Sequence, residues 1–228
     1  MLHVQTQEYP HPHPLLAAHI AFSQVAELPI TCAELVKLFT VGKERVIDSG
    51  CAVGRTAFEL PTTFSEVVGI DYSEKFINAA QHSQKYGTLE YTRKDQRMQR
   101  TALTAIVDPS IDRHWIRFEV GDACSLPLYL KVFDAVILAD VLCRLPKPSI
   151  CLERMQDNNG LVKARGILVM TTPFSWLSQY TPSNYWLNDE KNIGDIFTEF
   201  DLIHQEDVPF MKREHWRKFE YIIALATV

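Results

Sequence analysis

Val46-Ile47-Asp48-Ser49-Gly50-Cys51-Ala52-Val53-Gly54-Arg55, followed by Val67-Val68-Gly69-Ile70-Asp71, decides the fold. The order is an apolar strand, a glycine loop, a helix start, a second apolar strand and an acidic residue at its end. Gly50 and Gly54 let the backbone turn tightly and approach a ligand closely. Asp71 stands about twenty residues past the loop, where nucleotide-binding α/β folds present a carboxylate to ribose hydroxyls. The glycines run G-x-A-x-G, not the G-x-G-x-x-G of dinucleotide sites. That spacing disfavours a nicotinamide oxidoreductase and leaves another nucleoside-containing cofactor. A plain strand–turn–helix would explain the loop alone; Asp71 and the later strand ends tip the balance to the cofactor.

Outward from this pair the chain keeps alternating. Residues 45–47 and 67–70 read as the first two strands, with a helix over 54–60 between them. Ser73 is an N-cap for a helix over 74–84, with Glu74 in its first turn. Residues 115–120 form a third strand ending in Gly121-Asp122. Residues 133–138 are a continuous apolar run, expected of a strand buried on both faces. A helix at 150–155 and a strand at 167–171 follow. Residues 195–200 end another helix, and 202–205 and 221–228 supply two last strands. Alternating βα units predict an α/β fold with a seven-stranded, mostly parallel sheet, one antiparallel edge strand and helices on both faces. Residues 1–43, with helical patterns at 15–28 and 32–39, are expected to cap a domain spanning 44–228. The charged stretch 85–113 reads as an insertion, only partly helical.

The 228 residues are 46% hydrophobic and 22% charged, enough for one domain with a real core. A net charge of −5 disfavours a nucleic-acid partner, which requires a basic face. Arg93, Lys94, Arg97 and Arg100 make a short basic run, interrupted by Asp95 and best read as a solvated face. No apolar run reaches the roughly 18–20 residues that span a bilayer. Residues 1–14 lack the basic and apolar regions of a signal peptide. The five cysteines have no C-x-x-C pair or zinc spacing, and reduced thiols in a cytoplasmic protein are expected. His11 and His13, in a stiff proline-rich lead-in, find no third ligand nearby, so no metal is expected. Neither G-x-S-x-G nor H-E-x-x-H occurs.

Asp48, Asp71, Asp122 and Asp140 all fall at the ends of the first four strands, where ligands bind in such sheets. Asp48 can orient the glycine loop or meet the cofactor's polar end. Asp71 can accept from two ribose hydroxyls, and Asp122 from a base amino group beside an apolar wall. Simple capping is the competing role for each. Cys51 and Cys124 have no adjacent His to activate them and read as small wall residues.

The Asp-x-Gly strand end, the second glycine and the following strand ending in Asp resemble motif I of class I S-adenosylmethionine (SAM) methyltransferases. The segments GCAVGRTAFEL (50–60), FSEVVGIDYSEKFI (64–77), GDACSLP (121–127), LCRLPKP (142–148), TTPFSWLSQYTPSNYWL (171–187) and EDVPFMKREHWRKFEY (206–221) resemble a narrower group. They are similar to the methyltransferase domain of ovothiol biosynthesis enzymes, the 4-mercaptohistidine N-methyltransferase family. The resemblance covers roughly residues 44–228. It implies a Rossmann-like fold and methyl transfer from SAM, leaving S-adenosylhomocysteine (SAH), to an imidazole ring nitrogen of 5-thiohistidine. The cofactor positions it implies are Asp48, Gly50, Cys51, Gly54, Arg55, Asp71, Tyr72, Asp122, Ala123 and Ala139.

Asp140 then falls where methyl transfer happens and is the candidate catalytic residue, orienting the ring. Trp176, Tyr180, Tyr185 and Trp186 form an aromatic cluster suited to stacking on a flat ring, with plain packing as the alternative. Arg144 or Arg213 can pair with an amino-acid carboxylate, against an ordinary surface role. The family usually has an aliphatic residue at 49, Asn at 140 and a Gly pair after Trp186-Leu187. It also carries an upstream iron-dependent sulfoxide synthase, so the expectation here is either a thiolated substrate from a separate synthase partner or a different imidazole as substrate. Two alternatives stay open. One is a SAM methyltransferase for another small nucleophile or a protein histidine. The other is a catalytically silent SAM-fold partner protein.

Overall fold

Along each central strand, successive side chains enter opposite layers, and both layers are apolar. Val46, Val67 and Ala135 pack into one cluster with Cys32, Val36, Ala57, Phe58 and Ile77. Their neighbours Ile47, Val68 and Val136 pack into the other with Leu130, Cys151, Leu152 and Met155. That alternation explains the unbroken apolar runs of the sequence: a strand covered by helices on both faces has no solvent side.

The computed structural model describes residues 28–94, 100–130, 132–156, 160–187, 196–197, 199–214 and 218–227. Its elements are α1 (Leu28–Phe39), β1 (Arg45–Ser49), α2 (Arg55–Glu59), β2 (Glu66–Asp71), α3 (Glu74–Tyr86), β3 (Thr88–Lys94) and β4 (Arg100–Ile106). Then come β5 (Ile116–Val120), β6 (Phe133–Ala139), α4 (Pro148–Gln156), β7 (Val162–Thr172), β8 (Gln205–Glu214) and β9 (Lys218–Thr227). A seven-stranded sheet runs β5-β2-β1-β6-β7-β9-β8. β1 is parallel to β2 and β6, β2 to β5, and β6 to β7. The expected helix over 15–28 lies almost wholly outside the described residues, as does most of the helix expected to end at 195–200. Among the described residues no helix is long and apolar enough to cross a membrane.

Two expectations are corrected. The reversed strand is β9, second from the edge, with β8 outside it. β8 and β9 pair as a hairpin with Glu214 opposite Lys218, and it is the later strand that pairs with β7. The strand expected at 202–205 only begins at Gln205. Pro209 and the charges of Glu206, Asp207, Lys212 and Arg213 hide the rest of it from a hydrophobicity reading. The described residues of the stretch 85–113 hold the end of α3 and then β3 and β4, which form an antiparallel hairpin of their own that the sequence does not announce. Leu89, Tyr91, Leu103 and Ala105 are half-buried on one face, while Glu90, Thr92, Ala102 and Thr104 are exposed on the other. This is the two-residue period of a half-covered ribbon, masked by its charges.

α3 starts where Ser73 Oγ accepts from the Phe76 N–H at 3.4 Å and stops at Gly87, whose φ is +75°. Its outer side chains reach β5. Gln81 Nε2 donates to the Phe118 carbonyl at 2.9 Å, and Gln84 Nε2 donates to the carbonyls of Ile116 and Arg113.

Asp134 fastens the opposite end of the sheet. Its Oδ2 accepts from the N–H groups of Glu44 and Arg45 at 3.0 and 2.9 Å, and Oδ1 accepts from Lys163 Nζ at 3.0 Å. Burial works against the charge, but the Arg45 N–H and the Lys163 ammonium outweigh it and hold the carboxyl below its ordinary range. Asp134→Ala orphans two backbone donors and should cost about 2–4 kcal/mol, read as a lower urea midpoint at unchanged slope. A midpoint equal to that of the wild type would remove this tie from the account of stability.

Candidate active site

β1 and β2 end side by side, with Ser49 opposite Ile70. The glycine loop folds back over that end. The N–H groups of Gly50 and Cys51 both donate to the Ile70 carbonyl, at 2.7 and 3.0 Å. Gly50 has φ +92°, and a Cβ there would sit 2.7 Å from Val141 Cγ2. Gly54, at φ +89°, is needed for a different reason: a Cβ would strike Phe118 and Phe58 behind the loop. It therefore serves packing rather than close approach to a ligand.

Asp71 ties the loop to the start of α3. Oδ2 accepts from the Ala52 N–H at 2.9 Å and Oδ1 from the Ser73 N–H at 2.8 Å. Burial raises its pKa, and those two N–H groups oppose the shift without cancelling it. A carboxylate has about four lone-pair sites, so Asp71 keeps accepting capacity toward the cleft it lines. After β5, Asp122 Oδ1 accepts from the Cys124 N–H at 2.8 Å, a local turn that holds the 121–125 wall in place.

Beyond β6 the backbone is strained. Asp140 is a non-glycine residue at φ +51°, and its N–H donates to the carbonyl and hydroxyl oxygens of Thr171 at 3.0 and 3.1 Å. Its Oδ1 lies 4.0 Å from Cys143 Sγ. Next to it, Arg144 Nη1 donates to the carbonyls of Cys143 and Ser175 at 3.1 and 2.9 Å. The guanidinium also lies 5.4 Å from the Tyr180 ring centroid.

These segments enclose a cleft of about 640 Å³ at the carboxyl ends of the strands. Of the residues singled out in the sequence, it brings together Gly50, Asp71, Tyr72, Asp122, Ala123, Ala139, Asp140, Arg144 and Tyr180. The lining also includes Ser49, Ala52, Phe76, Leu145, Pro146 and Gln179, which the sequence reading missed. Phe76 could have been found as the residue three past the Ser73 cap, one turn above Asp71. Gln179 carries no local signal.

The other candidates lie elsewhere. Asp48 sits under the loop, 1% exposed, with neither carboxylate oxygen bonded among the described residues. Burial, and then the nearby Asp71 charge, push its pKa up to about 7. Cys51 turns into the core, where burial pushes its thiol up as it does for Cys32 and Cys151. All five cysteines are free, and these three are no nucleophiles. Arg55 pairs with Glu59 one turn along α2 instead of entering the cleft. The aromatic cluster is also corrected, since of its four rings only Tyr180 lines the cleft. The Trp176 indole donates to the Leu187 carbonyl at 3.0 Å and the Trp186 indole to that of Thr181 at 2.8 Å. Their N–H groups need acceptors, and the loop's own backbone supplies them. Tyr185 is 38% exposed, its ring centroid 5.8 Å from Lys147 Nζ. Arg213 lies on β8, opposite Phe219 and three strands from β6; its side chain lies outside the described residues. Among the described residues no three His, Cys, Asp or Glu side chains gather as a metal site.

A family model described as a methyltransferase domain matches residues 47–170. The chain belongs to that family. The matched span of this methyltransferase domain runs from within β1 to within β7 and holds all four strand-end carboxylates. No curated protein matches the sequence. Among solved structures, magnesium protoporphyrin IX methyltransferase from Synechocystis PCC 6803, with bound SAM, is similar. It is 18% identical with a TM-score of 0.57, over 95% of this chain and 85% of that one. The PH0226 protein from Pyrococcus horikoshii OT3 is 18% identical with a TM-score of 0.55, over 87% of each chain. The CcbJ methyltransferase from Streptomyces caelestis is 17% identical with a TM-score of 0.47 over 64% of this chain, which spans about half (51%) of it. At these identities the likeness is one of fold.

Proposed function

We propose that the protein is a SAM-dependent N-methyltransferase acting on an imidazole ring nitrogen of a small histidine derivative. The sequence resemblance favours 5-thiohistidine as acceptor. One observation carries the reading: a single cleft joins the nucleoside-type carboxylates Asp71 and Asp122 to Asp140, Arg144 and Tyr180. Its size is that of small-molecule sites, about 300–1,000 Å³.

The residues present fit the cofactor. The Gly50 cradle would be filled by any side chain, and the buried, unbonded carboxyl of Asp48 suits a cationic group above the loop. Asp71 would hold the ribose hydroxyls and Asp122 the adenine amino group, with Ala123 as apolar wall. SAM supplies a methyl group already activated by its sulfonium and departs as SAH. The acceptor nitrogen must therefore be positioned rather than strongly activated. Imidazole, with an ordinary pKa of about 6.5, is largely unprotonated at neutral pH. Asp140 accepts from the ring N–H and so presents the other nitrogen's lone pair to the methyl group. Tyr180 packs on the ring and Leu145 and Pro146 exclude water.

A mass-spectrometric assay with SAM and, side by side, 5-thiohistidine, histidine and histamine tests this. Methylated 5-thiohistidine is expected. Product from histidine or histamine alone would retire the sulfur-bearing acceptor; SAM binding with no product from any would retire the imidazole reading. Asp140→Ala should lower kcat by about 100-fold or more with SAM affinity nearly unchanged. Asp140→Asn should lose less, since Asn tolerates the left-handed backbone and keeps an acceptor oxygen.

A further inference from the structure

We infer that the acceptor carries a carboxylate, and that Arg144 and Gln179 form the subsite that holds it; the inference rests on the reading of the cleft as a methyl-transfer site. The charged side chains lining the cleft are Asp71, Asp122, Asp140 and Arg144, so the one cation of the described lining stands at the acceptor end. Arg144 is not free to swing away. Nη1 is bonded to two backbone carbonyls, and the guanidinium lies against Tyr180. A guanidinium held in this way is preorganised for a carboxylate.

Gln179 is held beside it by the loop between β7 and β8. The buried Thr181 hydroxyl donates to the Leu145 carbonyl at 2.7 Å, and the Trp186 indole donates to the Thr181 carbonyl at 2.8 Å. Arg144 itself reaches across to the Ser175 carbonyl at 2.9 Å. These bonds stitch the 175–186 loop to the 143–146 wall, and Gln179 of that loop lines the same cleft as Arg144. Asp140 offers the opposite charge. A zwitterion of the α-amino-acid kind satisfies both ends, with a cationic or N–H group toward Asp140 and carboxylate oxygens toward Arg144 and the Gln179 amide. A decarboxylated amine brings no carboxylate to the guanidinium and adds a second positive charge to the cleft.

The full-length, SAH-loaded protein should bind imidazole-4-acetate about 10–100-fold more tightly than 4-methylimidazole by calorimetry. Methylation by SAM should favour histidine over histamine by a similar factor in kcat/KM. Gln179→Glu, at an exposed position that spares the fold, should cut both ratios at least about tenfold. Arg144→Gln should do the same while SAM affinity is kept. Equal binding of the two probes, or ratios unmoved in Gln179→Glu, would overturn the subsite. Loss of SAM affinity in Arg144→Gln would also overturn it, by assigning the arginine to the cofactor's own carboxylate. Carboxylate-dependent binding without methylation of any imidazole would uphold the subsite and retire the imidazole reaction. Methylation without carboxylate preference would do the reverse.

Discussion

Asp71→Ala should weaken SAM binding by about 100-fold or more in calorimetry. Two charge-assisted hydrogen bonds to ribose hydroxyls are each worth about 1.5–3 kcal/mol, and every 1.4 kcal/mol is tenfold in affinity. The same carboxylate also holds Ala52 N–H and Ser73 N–H. Its removal therefore loosens the glycine loop and the first turn of α3 as well as deleting ligand contacts. Binding of SAH should fall in parallel, because both nucleosides present the same ribose. An affinity within about threefold of wild type would show that Asp71 serves only to tie loop to helix.

Asp48→Asn should change the pH dependence of stability more than stability at any one acidic pH. The folded carboxyl is raised from its ordinary value to about 7, by burial first and by the Asp71 charge second. Between those two values the folded state binds the proton and the unfolded state does not. Stability is therefore full below the unfolded value, falls as pH rises through about 7, and is level above it. At about 1.4 kcal/mol per pKa unit, the ionised form costs a few kcal/mol at pH 8. An amide is neutral throughout, so the variant and wild type should melt together near pH 4 and diverge upward, the variant being the more stable at pH 8. A cationic cofactor above the loop should reverse the benefit by favouring ionised Asp48. The wild type should then bind SAM more tightly as pH rises toward 7, and Asp48→Asn should lose that dependence. Melting curves that stay parallel from pH 4 to 8 would overturn the assignment.

What could be read in the sequence was what local chemistry dictates at strand ends. Asp71 and Asp122 need only the end of a strand and a turn, and both lie in the cleft. The apolar runs at β1, β2 and β6 announce strands covered on two faces. What could not be read depended on distant partners. Whether an indole faces a ligand depends on where its N–H finds an acceptor; for Trp176 and Trp186 that was the carbonyl of Leu187 and of Thr181. Arg55 looked like a loop cation until Glu59, one turn on, claimed it. β3 and β8 were obscured by their own charges and by Pro209, because a ribbon or edge strand need not be apolar on both faces. Gln179 lay in a loop whose path is set by hydrogen bonds to residues some thirty-five positions earlier.

The amides of Gln81 and Gln84 have a consequence outside catalysis. An edge strand with bare carbonyls is a template for another chain, and aggregation by strand addition begins there. On β5 the carbonyls of Ile116 and Phe118 are already engaged by α3. Those two carbonyls are withheld from an added strand, and Gln81→Ala/Gln84→Ala would free them without touching the cleft. The protein's tolerance of crowding would then depend on two side chains of one helix.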